Sequence, residues 1–368
     1  MTGKLVIENL KHRPMRSLLS VLLIGVPVTL ILTLVGLSRG MIQDAQRRQR
    51  GSGADIVLRA PSAKNVIMQT GAALPEAMVD RLAQEPHVKA VMGVVTKAVQ
   101  LVIIINGVDL GQLDRMTHGV HYLKGGPFRG PNDVILDRYY AEQEHKTVGD
   151  TIELINRPWR ISGIIEGGIL GHILVPLPTL QELDAESHRL SQIYIRLDNP
   201  ANTDLVIKQL KALPGLTDYP IWPMEELTSQ IQQSVNAQGL SAFVVVIMSI
   251  GVVIGFAVVC LSMYMSVLQR TREIGILKSL GGSKGFILGI ILAEAWLMGI
   301  GGTILGILLS FGSRYAIQTF QPASFQMDIV LSWWPRVLAL TLFAATLGAL
   351  YPGLSAAAHD PIEALAYE

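Results

Sequence analysis

Four stretches of this chain are apolar for longer than the core helix of a water-soluble domain needs to be. Residues 17–38 (SLLSVLLIGVPVTLILTLVGLS), 241–265, 286–311 and 336–357 are nearly free of charge. A hydrocarbon layer of ~30 Å is crossed by about 20 helical residues, so each run is long enough to span. Four transmembrane helices are expected. The first run has to be told apart from a signal peptide, because Lys4, Lys11, Arg13 and Arg16 precede it. Signal peptides carry only about 7–15 apolar residues before a small-x-small cleavage site. Here the run has 22 residues and is followed by Ser38-Arg39-Gly40, so it reads as a retained span.

Orientation follows from the short loops. The N-terminal segment carries four basic residues and the loop 266–285 carries Arg270, Arg272, Lys278 and Lys284, whereas 315–335 has no lysine or arginine. Basic short loops stay in the cytoplasm, which predicts cytoplasmic N and C termini and a cytoplasmic 266–285 loop. Residues 39–240 and 315–335 are then extracytoplasmic, with Trp333 and Trp334 at the outer interface.

Composition becomes informative once it is divided this way. The chain is 50% hydrophobic and 16% charged, below the roughly 25% charge of a soluble domain. Residues 39–239 hold 42 of its 59 Lys, Arg, Asp and Glu, the remaining residues only 17. The outer segment therefore has the make-up of a folded soluble domain. Arg39–Arg50 and Met224–Gly239 have helix-compatible patterns and are expected to prolong spans one and two as stalks. Two stretches share an order of elements. Asp55–Leu58, the helical pattern from Leu74 to Pro86 and the strand-like Val88–Val102 form one β-α-β unit; Ile193–Leu197, the helical pattern after Asn202 and Leu216–Trp222 form another. The α/β halves are placed at about 51–105 and 191–223. Between them, turn signals such as Asn106-Gly107 and Gly149-Asp150 and short alternating runs predict an inserted, mostly-β subdomain over about 106–180.

Several classes of chemistry have no residues to support them. A net charge of +1 speaks against nucleic acid as a partner. The single cysteine, Cys260, can form neither an internal disulfide nor a C-x-x-C site. Gly281-Gly282-Ser283-Lys284-Gly285 only superficially resembles a phosphate-binding loop, and G-x-x-x-x-G-K-[ST] is not in the sequence. His118-x-x-His121 has a metal-ligand spacing but no evident third ligand, and is read as a solvated pair. No catalytic, cofactor-binding or metal-binding residue is assigned.

Within the spans, Gly251-x-x-x-Gly255, Gly285-x-x-x-Gly289 and Gly302-x-x-x-Gly306 place small residues on one helix face. Such faces let two helices approach closely, within the chain or between copies. Glu294 is the one ionisable residue well inside a run. A carboxylate at this depth either marks a relay or substrate path or is satisfied by a neighbouring helix, for example by Ser, Thr or Tyr.

The loop between spans two and three carries the most information. Ile274, Leu277 and Gly281 lie on one helical stripe with Ile276 and Leu280 beside it, flanked by Arg270, Arg272, Glu273 and Lys278. A short amphipathic helix ending at Gly281-Gly282 is predicted. It could lie on the lipid surface or dock into a groove on a cytoplasmic partner. The run Arg272-Glu273-Ile274-Gly275-Ile276-Leu277-Lys278-Ser279-Leu280-Gly281 resembles the coupling-helix signature of FtsX-like and MacB-type permeases of ABC transporters. Tyr351-Pro352 with His359-Asp360-Pro361-Ile362-Glu363-Ala364-Leu365 is similar to that family's terminal motif. Glu8-Asn9-Leu10 and Arg16-Ser17-Leu18-Leu19 are similar to the amphipathic cytoplasmic helix, here 1–16, that leads into its first span. The usual arginine near the terminal motif is replaced by Ser355-Ala356-Ala357-Ala358.

The resemblance implies an α-helical membrane protein with four transmembrane helices and a large extracytoplasmic α/β plus β domain like the MacB periplasmic core. It implies the permease subunit of a split system in the bacterial plasma (inner) membrane. ATP and Mg would be bound by a separate cytoplasmic ATPase contacting Arg270, Arg272, Glu273, Ile274, Gly275, Leu277, Lys278, Leu280 and Gly281. Gly251, Gly255, Gly302 and Gly306 would serve helix packing or a dimer with a second copy, and Glu294 an intramembrane polar site. Membrane lipids and an extracytoplasmic adaptor or substrate carrier are the other expected partners. Mechanotransmission, driving export or extraction of an amphiphile, lipid, lipoprotein or peptide, is the implied function; activation of an extracytoplasmic hydrolase is the alternative.

Overall fold

The structure is a computed structural model describing residues 14–60, 73–99, 103–117, 119–183, 187–237 and 240–358. The helix expected over 1–16, His118 and the terminal motif from His359 onward lie largely or wholly outside the described residues. The described residues begin with helix α1 (Pro14–Arg50), followed by β1 (Ile56–Arg59), β2 (Leu74–Pro75), α2 (Ala77–Leu82), β3 (Val88–Ala98), β4 (Ile104–Val108) and α3 (Leu110–Thr117). It continues through β5 (Tyr122–Gly125), β6 (Asp133–Asp137), α4 (Arg138–Gln143), β7 (Thr151–Leu154), β8 (Arg157–Ile165), β9 (Ile173–Pro176) and α5 (Leu177–Leu183). Then come β10 (Arg189–Leu190), β11 (Gln192–Leu197), α6 (Thr203–Ala212), β12 (Ile221–Pro223) and α7 (Met224–Ala237). The described residues end with α8 (Leu240–Gln269), α9 (Thr271–Ser279), α10 (Lys284–Phe320) and α11 (Trp334–Ala358).

Two compact units result. The membrane unit comprises residues 1–39, 241–316 and 327–368; the large domain comprises 40–240 together with 317–326. Among the described residues, four helices are long and apolar enough to cross a membrane, over Ser17–Arg50, Ala242–Gln269, Lys284–Phe320 and Leu331–Ala358. The helices at spans one and three are 37 residues each, longer than the apolar runs that located them. Pro27 lies inside α1 and Pro352 inside α11.

Lipid gives apolar side chains no reason to leave it, so these helices are held by close contact and interhelical hydrogen bonds. Spans one and three meet on glycine. A Cβ at Gly302 would sit 2.7 Å from Cβ of Ile24, and one at Gly306 would sit 2.6 Å from Cβ of Val28 and 2.9 Å from the Gly25 carbonyl oxygen. Thr29 Oγ1 donates across the same seam to the Gly306 carbonyl, 3.2 Å away. Gly251 packs on Pro27 and Gly255 faces Ala344, so all four glycines noted for packing are used between helices of one chain. Gly285 and Gly289, which share their spacing, meet nothing within 4 Å. The i, i+4 pattern marks a flat face; it does not say which neighbour, if any, covers it.

In the large domain, ten strands among the described residues form one mixed sheet, ordered β12-β1-β11-β3-β4-β9-β6-β8-β5 with β7 on β8. The two β-α-β units do not sit side by side. β11 lies between β1 and β3, and β1 lies between β11 and β12, all in antiparallel pairs. The units therefore interleave as split β-α-β pairs, an arrangement typical of ferredoxin-like sheets. The expected Val88–Val102 strand is seen as β3 (Val88–Ala98), and the next strand, β4, pairs with it antiparallel from Val94↔Val108 to Ala98↔Ile104. Through β4 the segment read as an insert extends the same sheet, where its strands β5–β9 are accompanied by the short helices α3, α4 and α5.

Strand alternation fills both faces. Ile56 and Leu58 join the cluster containing Leu82, Leu180 and Leu210 of α2, α5 and α6, whereas Val57 joins the cluster containing Leu113 and Leu227 of α3 and α7. Tyr194, fully buried on β11, donates to Gln49 Oε1 at 2.8 Å and accepts from Gln192 Nε2 at 2.6 Å. Burial pushes its phenol up to about 12, so it stays protonated and holds the last turn of α1 against the sheet.

The glycine seam makes a direct prediction. Gly306→Val destabilises the detergent-solubilised chain by about 1–3 kcal/mol, the usual cost of overpacking. Gly289→Val, in open space, leaves the thermal midpoint within error.

Candidate functional site

The candidate site is α9 and the cradle beneath it. Span two ends at Gln269, and Arg270, with φ −120°, turns the chain into α9. Thr271 Oγ1 donates to the Val267 and Leu268 carbonyls at 3.1 and 3.0 Å, satisfying acceptors exposed where α8 stops. At the far end Gly281 has φ +94°, and the Gly282 amide donates to the Leu277 carbonyl at 2.9 Å. This left-handed turn needs glycine and ends the helix by a C-cap.

α9 has two distinct faces. Ile274 and Leu277 pack against the cluster of Met263, Ile287, Ile291 and Ala356, and Gly275 is buried. Lys278 Nζ donates to the Ala357 carbonyl at 2.9 Å, placing a cation on the last carbonyls of α11. Arg272, Glu273, Ile276, Ser279 and Leu280 are exposed, Ile276 by 45% and Leu280 by 80%. The residues expected to act together thus divide. Ile274, Gly275, Leu277 and Lys278 fasten the helix to the bundle; Arg272, Glu273, Ile276, Leu280 and Gly281 remain accessible. Ser279 joins the accessible face. The signal for this split was in the numbering: Ile276 and Leu280 are four apart, as are Ile274 and Lys278, and the pairs lie on opposite sides of a 3.6-residue turn. Which pair turned inward depended on the neighbours.

Glu294 belongs to this cradle. Its Oε2 accepts from Arg270 Nη1 at 3.4 Å, and side-chain exposures of 9% and 19% place both groups largely out of water. One partner of this carboxylate is thus a cation supplied by the loop, Arg270. Sequence reading missed the pairing because residues 24 apart come together only when α10 folds back beside α8. A cleft lined by Met263, Arg270, Glu273, Leu277, Ile290 and Glu294 opens beside the ion pair. Among the described residues, no group of three or more His, Cys, Asp or Glu could hold a metal ion.

Comparison with known proteins agrees with this architecture. Residues 17–213 match the MacB-like periplasmic core domain, and residues 245–361 match the FtsX-like permease C-terminal family. The chain belongs to the family of MacB/FtsX-type permeases of ABC transporters. Its relatives include the macrolide export ATP-binding/permease protein MacB of Salmonella paratyphi A, 26% identical over 68% of this chain and 42% of that protein. The protein of the same name from Sodalis glossinidius is 24% identical over 97% of this chain and 59% of its own length. The chain thus spans about half the length of these curated relatives. Among solved structures, the periplasmic region of MacB from Actinobacillus actinomycetemcomitans aligns with a TM-score of 0.39 and 16% identity, covering 50% of this chain and 95% of that one.

The ion pair gives a measurable expectation. Glu294→Gln lowers stability by about 1–3 kcal/mol, since the amide oxygen can still accept from Arg270 but the largely buried guanidinium loses its counter-charge. Replacing Arg270 by Met and Glu294 by Leu together costs less than the sum of the single changes, and a double-mutant cycle on thermal unfolding reads the difference.

Proposed function

We propose that this chain is the transmembrane subunit of an ABC complex whose ATP hydrolysis occurs in a separate cytoplasmic ATPase docked on the exposed face of α9. The observation that carries the reading is the division of that helix: one face fastened to spans three and four, the other presenting Ile276 and Leu280 between Arg272 and Glu273. An apolar pair rimmed by charge suits a groove on a protein partner better than a lipid surface, which favours a broad apolar stripe and a basic flank. The basic residues of the N-terminal segment and the 266–285 loop support placing α9 in the cytoplasm and the large domain outside, in a bacterial plasma membrane.

In this reading the fastened face passes ATPase movement to the spans, and the large domain does the work on an extracytoplasmic amphiphile, lipid, lipoprotein or peptide. The relatives named for macrolide export fit the amphiphile class. A second copy of the chain completes a two-fold complex with one ATPase per α9.

Co-purification with the cognate ATPase tests this. Ile276→Arg combined with Leu280→Arg lowers the ATPase bound per permease at least about tenfold, equivalent to 1.4 kcal/mol or more, while leaving the thermal midpoint unchanged. Full binding by that variant overturns the docking assignment.

A further inference from the structure

The large domain contains a polar chain that the ATPase reading does not use. It begins on the last turns of α1, where Asp44 Oδ2 accepts from Arg48 Nη2 at 2.8 Å. Arg48 Nη1 contacts His172 Nε2, and the Arg48 carbonyl accepts from the Leu170 amide at 3.0 Å. His172 Nδ1 lies 2.6 Å from Asp137 Oδ2, and His172 and Asp137 are 2% and 1% exposed. Arginine can only donate, so Nε2 of His172 must accept and its proton sits on Nδ1, facing the carboxylate. The direction of the whole chain is thereby fixed: guanidinium to imidazole to carboxylate.

Asp137 has a second task. Its Oδ1 accepts from the Tyr140 amide at 2.8 Å and caps the N-terminus of α4. At the other end of that helix, Gln143 Oε1 accepts from the Ala323 amide at 3.2 Å and from the amide and hydroxyl of Ser324, each at 3.3 Å. Ala323 is buried in the large domain's own core, and residues 317–326 belong to that compact unit although they connect spans three and four in sequence.

We propose that α4 is a strut linking the end of α1 to the segment Ile317–Gln326, with Arg48, His172, Asp137 and Gln143 as its positioning residues. The chain leaving span one and the chain joining spans three and four are then held in one register by six residues of helix and a buried proton arrangement. Any displacement of the Arg48 end is felt at Ala323 and Ser324. The use of this strut in transport rests on the permease reading above; its existence does not.

Hydrogen exchange of the Ala323 and Ser324 amides in the full chain in lipid nanodiscs, with no ATPase present, tests the strut. Asp137→Asn keeps an oxygen to cap α4 but presents an amide donor to His172, reversing the imidazole tautomer and setting its Nε2–H against Arg48. It is expected to speed exchange at 323–324 about tenfold, as Gln143→Ala does directly, and Arg48→Met about threefold. Arg160→Ala, which removes the Arg160–Asp133 ion pair of the same sheet, should leave these amides unchanged. If Gln143→Ala speeds exchange while Asp137→Asn and Arg48→Met do not, α4 grips the segment independently of α1 and the proposal fails. An equal effect of Arg160→Ala would reduce it to general loosening and also overturn it.

Discussion

Helices in a bilayer gain little by hiding apolar side chains from one another, and the arrangement of this protein follows from that constraint. What remains to hold four spans together is contact at short range and hydrogen bonding in a dry medium. The Gly25–Gly302–Gly306 seam provides the first, allowing Ile24 and Val28 of span one to lie directly on the backbone of span three. Polar pairs provide the second: Ser20 with Ser262 at 2.9 Å, and Trp296 Nε1 donating to Thr346 Oγ1 at 2.9 Å. Each pair joins a different couple of spans, so the bundle is cross-linked even though no single interaction is large.

That bundle gives α9 something rigid to rest on. A nine-residue helix is too short to be stable in isolation and takes its order from packing. Here its order comes from its neighbours in space, with Ile274 and Leu277 on the cluster formed by Met263, Ile287, Ile291 and Ala356 and Lys278 on the final carbonyls of α11. A force applied to Ile276 or Leu280 would therefore reach two spans at once. This is the physical content of the proposal that α9 is a docking helix, and it explains why cationic Lys278 points inward, away from the face available to a partner.

Much of this was legible in the residues, and the reason differs from feature to feature. The spans could be placed because about 20 apolar residues have few structural alternatives. The end of α9 could be placed because Gly281-Gly282 favours a left-handed cap. The sheet order could not: β1, β3, β11 and β12 each carry a local strand pattern, but their interleaving is decided by pairing between residues far apart in the chain, such as Ile56 with Ile195 and Gln192 with Val94. The partners of Glu294, Lys278 and His172 were hidden for the same reason. Their spacing follows no helical or strand period, and a backbone carbonyl such as that of Ala357 leaves no trace in residue identity.

The most direct test of the account is whether α9 carries a nucleotide signal into the large domain. Hydrogen exchange of residues 104–176 can be followed in the reconstituted permease–ATPase complex with and without ATP, for the wild-type chain and for Lys278→Met. The account predicts that ATP changes exchange in the wild type, and that Lys278→Met retains the ATPase but loses most of that change. An equally large ATP-dependent change in Lys278→Met, or none in the wild type, would contradict it.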